Sequence, residues 1–112
     1  MSDWTDIGPD GCLAEGEHLA AEVDGEPVAV FRVDGGYYAI RNRCSHDFYT
    51  PLTDGWLEGY AVICPRHGAR FSLCSGKALC PPAFERVAVY AVRVEDGRIW
   101  VRHHKPMPSL EE

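Results

Sequence analysis

With 112 residues, 46% of them hydrophobic and 25% charged, the chain suits one packed domain and leaves no room for a second. A net charge of −6 argues against nucleic acid and anionic membrane surfaces as partners, and no apolar run reaches the roughly 18 residues that span a bilayer. The start, Met1-Ser2-Asp3-Trp4, has neither the basic nor the apolar region of a secretory leader, which predicts a cytoplasmic protein with reduced thiols.

The residue types predict β-structure along the whole chain. Residues 4–7 read as a first short strand, and 18–23 as a second that runs into the turn Asp24-Gly25. Residues 27–33 and 37–40 flank Asp34-Gly35-Gly36, a hairpin signal because glycine supplies positive φ. From 43 to 83 the pattern breaks. This stretch holds four of the five cysteines, two of the five histidines and four of the eight prolines, with only short strand patterns at 60–63 and 70–73. A clearer hairpin follows, 87–94 and 98–102 around Glu95-Asp96-Gly97. No window shows a helical 3.6-residue period. Short strands with frequent turns predict an all-β sandwich or small barrel. The tail, 103–112, is expected to be loose.

Two pairs carry the chemistry. Cys44-Ser45-His46 is C-x-H and Cys64-Pro65-Arg66-His67 is C-x-x-H, with seventeen residues between His46 and Cys64. Each pair ends a β pattern and opens a loop, so two loops at one end of a sandwich bring two thiolates and two imidazoles together. Two metal groups use that donor set. A structural zinc ion takes Cys₂His₂ tetrahedrally. A Rieske-type [2Fe–2S] cluster takes two thiolates on one iron and two imidazoles on the other. Zinc fingers tend to draw both cysteines from one pair and both histidines from the other. Here each pair mixes one of each, which favours the dinuclear cluster and leaves a structural zinc module as the alternative.

The two boxes, with the continuation Gly68-Ala69-Arg70-Phe71-Ser72-Leu73 and Ser75-Gly76-Lys77-Ala78-Leu79, resemble the Rieske ferredoxins that serve bacterial aromatic ring-hydroxylating dioxygenases. Pro81-Pro82 stands where that family has a proline-containing loop beside the cluster. The resemblance covers nearly the whole chain and is most specific from 43 to 83. It implies a Rieske-like antiparallel β-sandwich with a loop-rich cluster-binding subdomain, about 43–83, at one end. It implies one [2Fe–2S] cluster held by Cys44, His46, Cys64 and His67. It implies a monomeric one-electron carrier, fed by a flavin-containing reductase and emptied by a terminal non-haem iron oxygenase. The oxygenase itself needs a further domain with a 2-His-1-carboxylate site, for which neither length nor spare histidines are present. A Rieske ferredoxin of another redox or iron–sulfur assembly system is the alternative within the class.

Departures from the high-potential respiratory Rieske proteins are informative. Those carry a further cysteine in each box, joined by a disulfide, and a hydroxyl donor after the second box. Tyr49 or its neighbours and Arg66 stand in the cysteine positions here, and Gly68-Ala69 offers no hydroxyl. Hydrogen bonds to sulfur raise the potential, so their absence implies a low-potential centre.

The other candidates have plainer readings. Cys12, Cys74 and Cys80 read as small buried hydrophobes; Cys74 and Cys80 flank Ser75-Gly76-Lys77, but no bridge is expected between reduced thiols. His18 reads as a surface or packed strand residue, and His103-His104 as solvated. Trp4, Trp56, Trp100, Tyr37 and Tyr38 read as core or strand-face residues. Phe48 and Tyr49, in the first loop, suit either docking or shielding of the cluster.

Overall fold

Three Asp-Gly pairs turn the chain back on itself. Asp24, Asp34 and Asp96 have φ of 53°, 52° and 55°, and the glycines that follow have 81°, 79° and 73°. Two successive left-handed residues form the turn whose twist matches paired strands, and aspartate and glycine accept that conformation. The register agrees: Val23 faces Glu26, Val33 faces Gly36 and Glu95 faces Arg98.

The computed structural model describes residues 4–44, 50–66, 68–80 and 86–103, apart from the side chains of Cys80 and His103. Its strands are β1 (Thr5–Pro9), β2 (His18–Val23), β3 (Glu26–Val33), β4 (Gly36–Arg41), β5 (Trp56–Glu58), β6 (Ala61–Ile63), β7 (Arg70–Ser72), β8 (Ala78–Cys80), β9 (Val89–Glu95) and β10 (Arg98–His103). A single 3₁₀ turn covers Leu52–Asp54. Sequence reading anticipates every strand except β5 and β8. Those two have three residues each and, unlike the equally short β6 and β7, lie at the edges of the smaller sheet.

Two antiparallel sheets result. The larger has the order β1-β10-β9-β4-β3-β2, and the smaller β5-β6-β7-β8. β3 lies within the larger sheet, and its two faces serve two cores. Ala29, Phe31 and Val33 join Ile40, Leu52, Val62, Phe71, Leu73 and Val87 in the core shared with the smaller sheet. Val28 and Val30 join Val23, Ala39, Tyr90, Ile99 and Val101 on the far face. The alternation follows from the two-residue side-chain period of a strand. On the smaller sheet, Leu57, Val62, Phe71 and Ala78 lie in register across the strands and all pack on the shared core. This is the all-β sandwich that the sequence predicts.

The N-terminal loop is fastened to the larger sheet. The Tyr37 hydroxyl donates to Asp10 at 2.8 Å and accepts from Gly11 N at 3.0 Å. Arg32 lies 4.9 Å from the Tyr37 ring centre and donates to its hydroxyl at 2.8 Å.

Two cysteines depart from their expected setting, and the aromatic residues and His18 take up settings that the sequence left open. Cys12 and Cys74 are exposed free thiols, not buried hydrophobes, because each sits in a turn outside both cores. Trp56 is 51% exposed, since edge strand β5 turns Leu57, not Trp56, toward the core. Trp4 instead packs under two guanidinium groups, Arg93 at 4.8 Å and Arg102 at 5.0 Å. Trp100 is half-buried and donates to Glu95 O at 3.3 Å. His18 is exposed, its ring 5.9 Å from that of Phe31. Among the described residues no helix is long and apolar enough to cross a membrane. Phe48, Tyr49, Pro81, Pro82 and the tail beyond His103 lie outside the described residues.

Candidate metal centre

Cys44 lies three residues beyond the end of β4 and Cys64 directly follows β6. Both are fully buried, at 0% exposure, in the core between the sheets. Each opens a loop that closes on its own cysteine. Cys44 N donates to Thr50 O at 3.1 Å, and Cys64 N donates to Ala69 O at 2.7 Å. Gly68 N donates back to Cys64 O at 3.1 Å. His46 falls inside the first closed loop by sequence and His67 inside the second, but both histidines lie outside the described residues. Among the described residues no third Cys, His, Asp or Glu completes a metal-holding group with the two cysteines.

Two buried thiols in one apolar core suit a thiophilic metal. Thiolates are the soft ligands that iron–sulfur clusters take, and coordination deprotonates them. The surrounding Leu52, Val62, Phe71 and Ala69 keep water from the sulfur side.

Polar and steric details fix where the loops begin and end. Asn42, only 7% exposed, donates through Nδ2 to Thr53 Oγ1 at 3.1 Å and accepts from Thr53 N at 2.9 Å. That pair closes the excursion carrying the first box. Gly55 ends the 3₁₀ turn, its N donating to Leu52 O at 3.0 Å. A Cβ at Gly55 would stand 1.8 Å from Ile63 O, so only glycine lets this turn pass against the residue before Cys64. Gly68 has φ of 75°, which glycine accepts readily. Sequence reading misses Asn42, Thr53 and Gly55. A polar residue two before Cys44 and a glycine inside the cysteine-rich stretch were the available signals.

The far end of the smaller sheet is polar. The Tyr60 hydroxyl donates to Asp34 Oδ2, and that carboxylate, chiefly by the hydrogen bond, pushes the phenol up to about 12. Arg70 pairs with Glu58 at 2.5 Å across the sheet.

Comparison with known proteins agrees with this layout. Residues 3–91 match the family described as Rieske [2Fe-2S] domain. The chain is 45% identical over 91 residues to the 3-phenylpropionate/cinnamic acid dioxygenase ferredoxin subunit of Escherichia coli K12, covering 80% of this chain and 83% of that one. It is 35% identical over 100 residues to the ferredoxin component of the naphthalene 1,2-dioxygenase/salicylate 5-hydroxylase systems of a Ralstonia species, covering 89% and 95%. Among solved structures it resembles a chain in the complex of reduced oxygenase and oxidised ferredoxin in carbazole 1,9a-dioxygenase, with a TM-score of 0.85, 28% identity and coverage of 94% and 97%.

Proposed function

This chain belongs to the Rieske [2Fe–2S] domain family, and we propose that Cys44, His46, Cys64 and His67 hold its one cluster. The protein is an electron carrier, the ferredoxin component of a ring-hydroxylating dioxygenase system, and not itself an enzyme. The family match supports a [2Fe–2S] cluster over the structural zinc alternative. When bound, the cluster supplies a one-electron couple, with thiolates on one iron and imidazoles on the other.

The observation that carries the ligand assignment is the burial of Cys44 and Cys64 in one apolar core, each at the root of a closed loop that contains a histidine. In this reading the two cysteines form the dry, inner side of the site. Asn42, Thr53 and Gly55 hold the roots of the loops beside the two cysteines.

The electron donor in this proposal is a flavin-containing reductase and the acceptor a terminal non-haem iron oxygenase. The chain acts as a monomer in the cytoplasm, binding neither nucleic acid nor membrane. The whole of 1–112 forms one Rieske domain, with 43–83 as its cluster-binding subdomain. The solved complex of a similar ferredoxin with its oxygenase supports the acceptor. The acidic balance of −6 suits brief docking on basic patches of both partners.

The test is reconstitution. The purified protein should show the visible and reduced-state paramagnetic spectra of a Rieske cluster. It should take electrons from a flavin-containing ferredoxin reductase and pass them to a ring-hydroxylating oxygenase. A colourless protein with bound zinc would overturn the ligand assignment. A coloured protein that no such reductase reduces would overturn the proposed donor.

A further inference from the structure

We propose that the hydrogen bond from Tyr60 to Asp34 is a latch that sets the two thiolate-bearing strands, and through them the spacing of Cys44 and Cys64. The inference rests on the ligand assignment above and extends it to residues outside both boxes.

The two cysteines belong to different sheets. β4 of the larger sheet leads to Cys44, and β6 of the smaller sheet leads to Cys64. Among the described residues no strand pairing joins these sheets, so no hydrogen-bonded ladder described there fixes one sulfur relative to the other. Asp34 sits two residues before β4 begins, and Tyr60 one residue before β6 begins. The latch therefore ties the starts of the two strands whose far ends bear the sulfurs.

Both halves of the latch are themselves held. The Glu15 carboxylate accepts from Asp34 N at 2.5 Å and from Gly35 N at 3.0 Å, which fastens the left-handed turn that presents Asp34. Tyr60 O accepts from Leu73 N at 2.8 Å, so Tyr60 is tied to the β6–β7 hairpin as well. Its ring meets Tyr38, on β4, edge-on at 5.7 Å and 81°. The raised phenol keeps the donor protonated across the physiological range. Beyond the latch, β6 is three residues long, too short to absorb a tilt before it reaches Cys64. A loosened start would reach the sulfur as a shift or a wider spread of positions.

The test compares cluster-loaded wild-type protein with Tyr60→Phe, Asp34→Asn, the double variant and a control, Tyr37→Phe. The control removes a tyrosine hydroxyl of similar connectivity that fastens only the N-terminal loop to the larger sheet. Cluster loss to an iron chelator is followed by visible absorbance, and the reduced protein by electron paramagnetic resonance. Tyr60→Phe should shorten the half-time of cluster loss about fivefold, the scale set by losing one ordinary exposed hydrogen bond, and should broaden the resonance. Asp34→Asn should do less, since its amide oxygen still accepts. The double variant should be no worse than Tyr60→Phe, because both changes remove one contact. Tyr37→Phe should match wild type in both readouts even if its melting temperature falls. Wild-type half-time and line shape in Tyr60→Phe would overturn the latch and leave the ligand assignment standing. Equal acceleration in Tyr37→Phe would also overturn it. Wild-type protein lacking a Rieske signal would overturn the ligand assignment instead. Should Tyr60→Phe not fold, Asp34→Gly carries the test alone, since it removes the acceptor and suits the left-handed backbone at 34, with a shorter half-time as support and no change as refutation.

Discussion

Cys44 and Cys64 leave two sheets that share no strand pairing among the described residues, yet both reach 0% exposure in a single core. Each closes a short loop on itself through its own backbone N–H, to Thr50 O and to Ala69 O. In the proposed ligation, a cluster held by both would join the two layers of the sandwich as a cross-link does, and would couple cluster occupancy to fold stability.

That coupling gives the first expectation. Replacing Cys44 or Cys64 with serine removes a soft ligand that no neighbour replaces, and the Rieske spectrum should vanish. Replacing His46 or His67 should abolish it too. Serine at Cys12, Cys74 or Cys80 should leave it unchanged. Paramagnetic resonance of the seven single variants checks this, and a retained Rieske signal in all four ligand variants would sink the assignment.

Gly55 should be intolerant. Alanine there drives a Cβ to 1.8 Å from Ile63 O, and β6 must move next to Cys64. Overpacking of this kind costs about 1–3 kcal/mol. Denaturant unfolding of Gly55→Ala should show a loss in that range, together with faster release of the cluster. An unchanged midpoint would mean that the turn relaxes freely.

The potential should lie at the low end of the Rieske range, around −150 mV. The reason is chemical: Gly68-Ala69 offers no hydroxyl after the second box, and no second pair of box cysteines is present. A titration giving a positive midpoint would contradict this.

Salt should slow the carrier. With a net charge of −6 and partners presenting basic patches, attraction is screened beyond roughly 8 Å at physiological ionic strength. Stopped-flow association rates should fall steadily from low to high salt, and a flat profile would rule out electrostatic steering.

At high pH the Tyr60 latch should open. The phenol is raised from 10.0 to about 12, so the folded protein holds this proton more tightly than the unfolded chain. The latch contribution is complete below about pH 10 and is lost as the pH rises toward about 12. Burial also raises Tyr90, so a spectrophotometric titration should show late-ionising tyrosines in wild type, with one late step fewer in Tyr60→Phe. Identical titrations for the two proteins would place the late tyrosine elsewhere.

Much of this was legible in the chain itself. Asp24-Gly25, Asp34-Gly35 and Asp96-Gly97 announce their hairpins because a two-residue left-handed turn is a local demand on residue type. The boxes at 44–46 and 64–67 announce their chemistry because few groups need two thiols and two imidazoles in mixed pairs. What the chain could not announce depends on distant segments meeting. β4 pairs with β9, placing Ala39 opposite Tyr90 and Ile40 opposite Val89, and no local period predicts that register. Three-residue strands such as β5 and β8 exist only because β6 and β7 offer them an edge. The exposure of Cys74, against expectation, and of Trp56, which the sequence left between core and strand face, follows from which side of a short strand or turn meets the core. The contacts of Asp34 with Tyr60 and of Asn42 with Thr53 belong to the same class. Local residue types fix turns and ligands, while burial and side-chain pairing across two sheets are decided only when the sheets pack.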